Sequence, residues 1–515
     1  SALIVHYAEN VPRIKTRKLA HGRLRDGGEA RHAFRNYRPC PGTASLGRKT
    51  RSRREDRPMT EGRWFPYKNR RKPRPSPHPV HLNPDDIHRE LNSLFSPEDI
   101  ERMAHETGFI KRKRIVDPVP FFWALVLGFG TFLQRTLAGL RRSYGEEAGE
   151  ELAQSSWHGR FTPALVEFLK ACVLHGIQRT AGETTCLLKD KLQRFQDILI
   201  QDNTIIRLHK ALAKRWPATR SRVIAAGIKV ALLISVVANG PATVAIHAER
   251  TADIKTIRIG RWIKDRILLF DLGYYKFQLF ARIKENGGFF ISRLKDSSDP
   301  TLLRSLTVHR GQAMDLSGMQ WKDVKPRLER KVLDAEVDLT FSRRVYAGSR
   351  SKDSMAFRLV AVYDDDERDY HVYLTNIPPD ILNAEDIAAL YGVRWEVELV
   401  FKELKGRYAL DIVNTSKPAI ALGLVWTAIL TLIVSRRLYN LLLRSVPREL
   451  VARYPPLLWS TVFVEKGERL LDAMMGQLGF EPKTEGDFTK LAWIYERQAL
   501  DPHVTRRRLR EGCRA

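Results

Sequence analysis

Asn239-Gly240 stands between two apolar runs, residues 228–237 and 242–248, and this arrangement constrains the fold more than any other stretch of the chain. Asn-Gly accepts the positive φ values that a tight hairpin turn demands, so the two runs are expected to pair as antiparallel strands. Just upstream, residues 195–200 alternate into Gln201-Asp202-Asn203-Thr204, a strand pattern that gives way to a polar turn. Downstream, residues 266–270 form another apolar run that stops at Asp271-Leu-Gly-Tyr-Tyr275, and a short helical pattern then leads to a strand over 288–295. A strand, a hairpin, a strand, a helix and a strand point to an α/β fold.

With a later helix that carries a carboxylate, this is the order of a ribonuclease-H-like domain, spanning residues 191–295 and 384–445. Residues 296–383 hold further strand patterns at 332–345, 356–363 and 370–375 and read as a β-rich insertion that interrupts the domain. Residues 81–190 are helical in character. Asn83, Ser96 and Thr162 precede Pro and suit helix N-caps, Ser155 or Ser156 suits another helix start, and 119–140 is a long apolar segment. Short helices with Lys111-Arg-Lys-Arg114 and Arg141-Arg142 between them fit a DNA-binding domain of helix-turn-helix type, or a plain bundle with basic loops. Residues 446–515 are again helical and end in the basic run Arg506-Arg-Arg-Leu-Arg510. At 515 residues the chain exceeds a single core, and two or three domains are expected.

Charge narrows the partners. A net charge of +28 is a costly self-repulsion unless a polyanion balances it, and nucleic acid is the simplest such partner. Residues 1–80 hold 21 Lys and Arg against 6 Asp and Glu, a net +15. With much Pro, Gly and Ser and no apolar periodicity they are expected to be disordered, either as a basic DNA-tracking arm or as a stretch upstream of a true start at Met59. Cys40, Cys172, Cys186 and Cys513 have no paired CxxC spacing, which indicates neither a zinc site nor a disulfide framework and fits a reducing cytoplasm. No signal-peptide pattern opens the chain. The longest uncharged run, residues 418–435, falls just below a membrane span and reads as a core helix, with no membrane partner expected.

Residues 391–405 concentrate the chemistry. On one continuous α-helix, Tyr391, Arg394, Glu398 and Lys405, at offsets of three, seven and fourteen, fall within about 60° of one another. Leu390, Val393, Val397, Val400, Phe401 and Leu404 form the neighbouring apolar sector, on which the helix can dock. The polar row is either a solvated face, braced by pairs such as Glu398 with Lys402, or one carboxylate set between cations for a metal ion and a phosphate backbone. Asp202 and Asp271 stand where strands end. Taken singly each suits a turn cap; with Glu398 the three carboxylates could hold two divalent ions about 4 Å apart for in-line attack on phosphate.

Asp202-Asn-Thr, Asp271-Leu-Gly-Tyr and Tyr391-x2-Arg394-x3-Glu398-x6-Lys405 together resemble the DDE transposases of prokaryotic insertion sequences, in the insertion-sequence-four group with the Tyr-Arg-Glu-Lys signature. The likeness covers roughly residues 83–445. It implies Asp202, Asp271 and Glu398 as catalytic, metal-binding residues for Mg2+, with Mn2+ as a substitute. It implies Tyr391, Arg394 and Lys405 as DNA-binding residues near the scissile phosphate. The implied activity is cut-and-paste transposition by nicking, hairpin formation and strand transfer. The implied partners are double-stranded DNA, as inverted repeats and target, and a second copy of the chain in the synaptic complex, on cytoplasmic, nucleoid-associated DNA. Asn203 departs from the small residue usual after the first aspartate, and Trp321 or Tyr370 could supply the aromatic that stacks on a flipped base. A non-catalytic repressor of transposase descent and another ribonuclease-H-like nuclease are the competing functions.

Overall fold

The computed structural model describes residues 82–500 except 112–115, 129–135, 149–151, 220–224, 307, 310–311, 343–350 and 480–486. The basic arm 1–80 with Met59, most of Lys111-Arg-Lys-Arg114, and the tail at 506–510 lie outside the described residues.

Five strands build the centre: β1 (Asp197–Leu208), β2 (Ala226–Ser235), β3 (Gly240–Ala248), β4 (Arg266–Phe270) and β5 (Phe289–Arg293). They lie in the order β3-β2-β1-β4-β5; β2 is antiparallel to both β1 and β3, while β4 runs parallel to β1 and β5 parallel to β4. The β2–β3 hairpin turns at Asn239, whose φ of 52° is the left-handed conformation that the Asn-Gly pair predicts. This mixed α/β arrangement fits the ribonuclease-H-like expectation. Strand β1 runs further than its sequence suggests: it continues through Asp202 to Leu208, because Thr204, Ile205 and Ile206 are β-branched and their backbone pairs with residues 228–230 of β2. Asp202 thus sits inside a strand, not at its end.

The block over 296–383 extends this same sheet. Strands β6 (Thr301–Ser305), β9 (Val332–Ser342), β10 (Lys352–Asp364) and β11 (Asp369–Thr375) continue it in the order β5-β11-β10-β9-β6, while β7 (Val308–His309) and β8 (Gln312–Ala313) pair apart. The insertion is therefore an insertion in sequence, joined to the central sheet by β5–β11 pairing at residues 291–293 with 373–375.

Among the described residues six helices precede the sheet: α1 (Pro84–Leu94), α2 (Pro97–Glu106), α3 (Pro118–Gly128), α4 (Leu137–Ala148), α5 (Gln154–Gly159) and α6 (Pro163–Thr180). Asn83, Ser96 and Thr162 cap α1, α2 and α6 as expected, each accepting a backbone N–H. Ala153, not Ser155 or Ser156, takes the cap position of α5 and forms no side-chain bond there. These helices are not a free-standing reader. One hydrophobic core joins Leu91, Phe122 and Leu169 to Ile200 and Leu269 of the sheet and to Val425 and Ile433 of the long helix α11 (Pro418–Ser445). Gly176 marks how closely α6 and α11 approach: a Cβ there would lie 3.0 Å from Phe95 Cζ and 3.1 Å from Ile433 Cγ2. Helix α3 is buried on every side, which leaves it no face for a DNA groove.

Helix α11 is long and apolar enough to cross a membrane, yet it lies within this core and carries the buried Arg436 and Arg437, paired with Glu403 and with Glu90 and Glu183. Helices α12 (Pro456–Glu465), α13 (Gly467–Gln477) and α14 (Phe488–Gln498) complete that side. The opposite face of the sheet packs on α7 (Phe277–Glu285) through a second core, where the rings of Phe280 and Phe290 stack at 4.5 Å.

Candidate active site

Register places the two aspartates. Gln201 pairs with Phe270 at the last aligned position of the parallel strands β1 and β4, and Asp202 and Asp271 stand one residue beyond. They are neighbours in one row, facing the helical layer. Even-numbered Ile198, Ile200 and Ile206 of β1 and odd-numbered Ile267 and Leu269 of β4 all belong to the core on that side.

Glu398 reaches the row from the helical layer, though not along one continuous helix. Helix α9 (Ala384–Gly392) ends at a glycine, bonds from Val393, Arg394 and Glu396 to the residues three positions earlier tighten the next turn, and α10 (Trp395–Lys402) follows. A π-turn then occupies Glu403–Arg407. All six residues of the expected apolar sector are buried, so the docking face is as read. The polar row, by contrast, is split. Arg394 Nη2 lies 3.1 Å from Glu398 Oε1 and Nη1 lies 3.5 Å from Asp202 Oδ2, so one guanidinium joins the first aspartate to the glutamate. Lys402 lies over the Trp395 ring at 4.9 Å, and Glu398 forms an ion pair with Arg394.

Tyr391 is buried. Its hydroxyl donates to the Phe270 carbonyl at 3.3 Å, the residue before Asp271, and its ring packs on Tyr373 at 5.3 Å. Burial pushes its phenol up to about 12. It anchors the end of β4, with its hydroxyl hydrogen engaged by that carbonyl. Lys405 lies in the π-turn, half-buried beside Arg207 and Asp411; burial, with Arg207, lowers its pKa. Trp321 is in the core, and Tyr370 packs on Tyr363 at 5.1 Å with its hydroxyl bonded to the carbonyls of Leu328 and Arg330.

Burial raises the Asp202 carboxyl to about 6, with Asp271 and Glu398 adding to the rise and the Asn203 N–H and Arg394 opposing it. Burial also works against the Arg394 cation, but Tyr391, Asp271, Asp202 and Glu398 more than offset this and raise its pKa. Among the described residues no three His, Cys, Asp or Glu side chains are already drawn to metal-ligand spacing. The donor chemistry nonetheless fits a hard divalent cation: Asp202 and Glu398 are carboxylates held to one guanidinium, Arg394, and Asp271 stands beside Asp202 in register.

One basic residue escaped the sequence reading. Leu269 pairs with Ile291, so Arg293, the last residue of β5, aligns with Asp271 and continues the Asp202–Asp271 row. It is exposed, lies 3.1 Å by Nη2 from His371 Nδ1, and acts electrostatically on Tyr391. Counting from the aligned starts of β4 and β5 was the available signal.

Residues 193–434 match the family described as the transposase DDE domain. The chain is 21% identical over 362 residues to the transposase for insertion sequence element IS1151 of Clostridium perfringens, covering 64% of this chain and 76% of that one. It is 24% identical to the transposases for IS231B and IS231D of Bacillus thuringiensis subspecies berliner and finitimus, covering 62% of this chain and 73% of each. These matches make residues 193–434 similar to the DDE domain of insertion-sequence transposases.

Proposed function

We propose that this enzyme cuts and joins double-stranded DNA in cut-and-paste transposition of an insertion sequence. Asp202, Asp271 and Glu398 would hold Mg2+, or Mn2+ in its place. The observation that carries this reading is the bridge from Arg394 to both Asp202 and Glu398, next to Asp271 in register. When bound, the divalent ions supply charge neutralisation at the phosphate and activation of the attacking oxygen. Arg394 orients the two carboxylates and offers its remaining donors to a phosphate oxygen. Tyr391 holds the end of β4, and with it Asp271. Lys405 and Arg293 grip the DNA backbone on either side of the carboxylates, so the Tyr-Arg-Glu-Lys signature acts through two phosphate contacts and one anchor. Hairpin formation on the element end, recognition of inverted repeats by the helical layer, and a dimeric synaptic complex belong to the same reading, on nucleoid DNA in the cytoplasm.

Salt dependence tests the phosphate contacts. Arg293→Ala and Lys405→Ala should each lower the slope of log affinity against log salt by about one. An unchanged slope in folded variants would remove that residue from the DNA backbone.

Stability tests the metal pocket. Because folding raises the Asp202 carboxyl from 3.8 to about 6, its contribution is fully present below about pH 4 and is lost as pH rises through 6. The buried carboxylate then costs up to about 3 kcal/mol. In chelator, Asp202→Asn should raise Tm by a few degrees at pH 7.5 and not at pH 4; Mg2+ should raise the Tm of the parent protein and leave the variant unmoved. Equal Mg2+ stabilisation of both proteins would take Asp202 out of the metal site.

A further inference from the structure

Behind the sheet, on the face away from Glu398, a connected set of polar side chains links the two catalytic aspartates. Gln201 and Asn203 flank Asp202 in β1 and point to that far face. Asn203 Nδ2 donates to Asp253 Oδ1 at 3.0 Å. Lys229 of β2, almost wholly buried, donates to the same carboxylate oxygen and to the Thr251 carbonyl at 2.6 Å. On the other flank, Gln201 Nε2 donates to the Tyr274 hydroxyl at 3.0 Å, and that hydroxyl lies 3.1 Å from Thr256 Oγ1. Thr256 in turn donates to the Asp253 carbonyl at 2.7 Å.

Tyr274 closes the turn that Asp271 opens, with its N–H bonded to the Asp271 carbonyl at 3.0 Å. The same turn rests against Asp253: a Cβ on Gly273 would lie 2.3 Å from Asp253 Oδ2, so only glycine lets that carboxylate come so close. Both sequence neighbours of Asp202 and the turn that follows Asp271 are therefore fastened to one short segment, residues 253–256. Asn203, the departure from the small residue usual after the first aspartate, is a working member of this set.

We propose that Lys229, Asp253, Asn203 and Tyr274 form a positioning network that fixes the placement of Asp202 relative to Asp271 from behind the sheet, and with it the affinity of the site for divalent metal. The residues touch neither DNA nor metal. They act through the backbone of β1 and of the turn after Asp271, as outer-shell partners do at metal sites, where their loss costs about 10- to 100-fold in affinity or activity. Lys229 is the anchor, since it brings a fixed positive charge to a carboxylate that would otherwise repel Asp202 and Asp271 through the sheet.

This inference rests on Asp202 and Asp271 as metal ligands, and the test separates the two. Mn2+ binding to the full-length protein is measured by electron paramagnetic resonance, with Tm and Mg2+-dependent nicking followed in parallel, for Tyr274→Phe, Asn203→Ala, Asp253→Asn and Asp202→Asn. Tyr274→Phe and Asn203→Ala should keep Tm near that of the parent, weaken Mn2+ binding at least about tenfold, and regain nicking at raised metal concentration. Asp253→Asn should weaken it further, and combining Tyr274→Phe with Asn203→Ala should give less than the sum of the two losses. Unchanged Mn2+ affinity in folded Tyr274→Phe and Asn203→Ala, while Asp202→Asn loses it, would overturn the network alone. Full Mn2+ binding in Asp202→Asn would overturn the underlying metal assignment instead.

Discussion

Glu398→Gln is expected to lower DNA strand cleavage by about a thousandfold or more while leaving binding to the element end close to normal. The substitution keeps the shape of the side chain and removes one negative charge from the place where divalent metal would collect, and such charge stabilisation is worth several kcal/mol in the transition state. The helix should stay docked, because Val397, Val400 and Phe401 are buried and none of them changes. Arg394 keeps Asp202 as a partner at 3.5 Å, so the guanidinium is not set free in the pocket. Asp271→Asn should give the same loss. Single-turnover nicking in Mg2+, set beside gel-shift affinity for the same DNA, separates chemistry from binding. Nicking near the parent rate in a folded Glu398→Gln protein would remove that glutamate from the active site and leave the solvated-face reading of α10.

The sequence made the central strands legible because local signals and tertiary structure agree there. Asn239-Gly240 turns where the turn chemistry says it must, and β4 occupies the five residues of its apolar run. The docking face of the Glu398 segment is legible for the same reason. What periodicity could not reveal is a change of helical phase. A 3.6-residue repeat assumes one unbroken α-helix, whereas a tightened turn at 393–396 and a π-turn at Glu403–Arg407 break the repeat between Tyr391 and Lys405. Register across strands was hidden too. Arg293 and Asp271 are 22 positions apart in the chain, and only the pairing of Leu269 with Ile291 brings them side by side. Packing partners were hidden for a related reason: amphipathic helices advertise a buried face without saying what buries it, and here the helices before and after the sheet bury theirs in one shared core.

The same dependence on distant partners sets the stability of the site, and Arg358→Ala is expected to cost about 3 to 5 kcal/mol. Arg358 of β10 is buried and makes four hydrogen bonds: Nε and Nη2 reach the two Asp334 oxygens at 2.8 and 2.6 Å, and Nη1 reaches the carbonyls of Ile377 and Leu382 at 2.9 and 2.8 Å. Truncation would leave a buried carboxylate without its cation and two carbonyls without a donor, which costs far more than the pair itself contributes. The carbonyls belong to the loop that delivers Asn383, whose side chain and Asp386 form the capping box of α9. That helix runs directly into Tyr391, Arg394 and Glu398. Loosening the loop should therefore reduce cleavage even at temperatures where the variant stays folded. Replacing both partners, as in Arg358→Met with Asp334→Leu, should recover much of the stability, because no charge is then stranded in the core. Denaturant titration of the three proteins decides the matter: an Arg358→Ala midpoint equal to that of the parent would show that the pair is dispensable and that other contacts hold the loop under Glu398 in place.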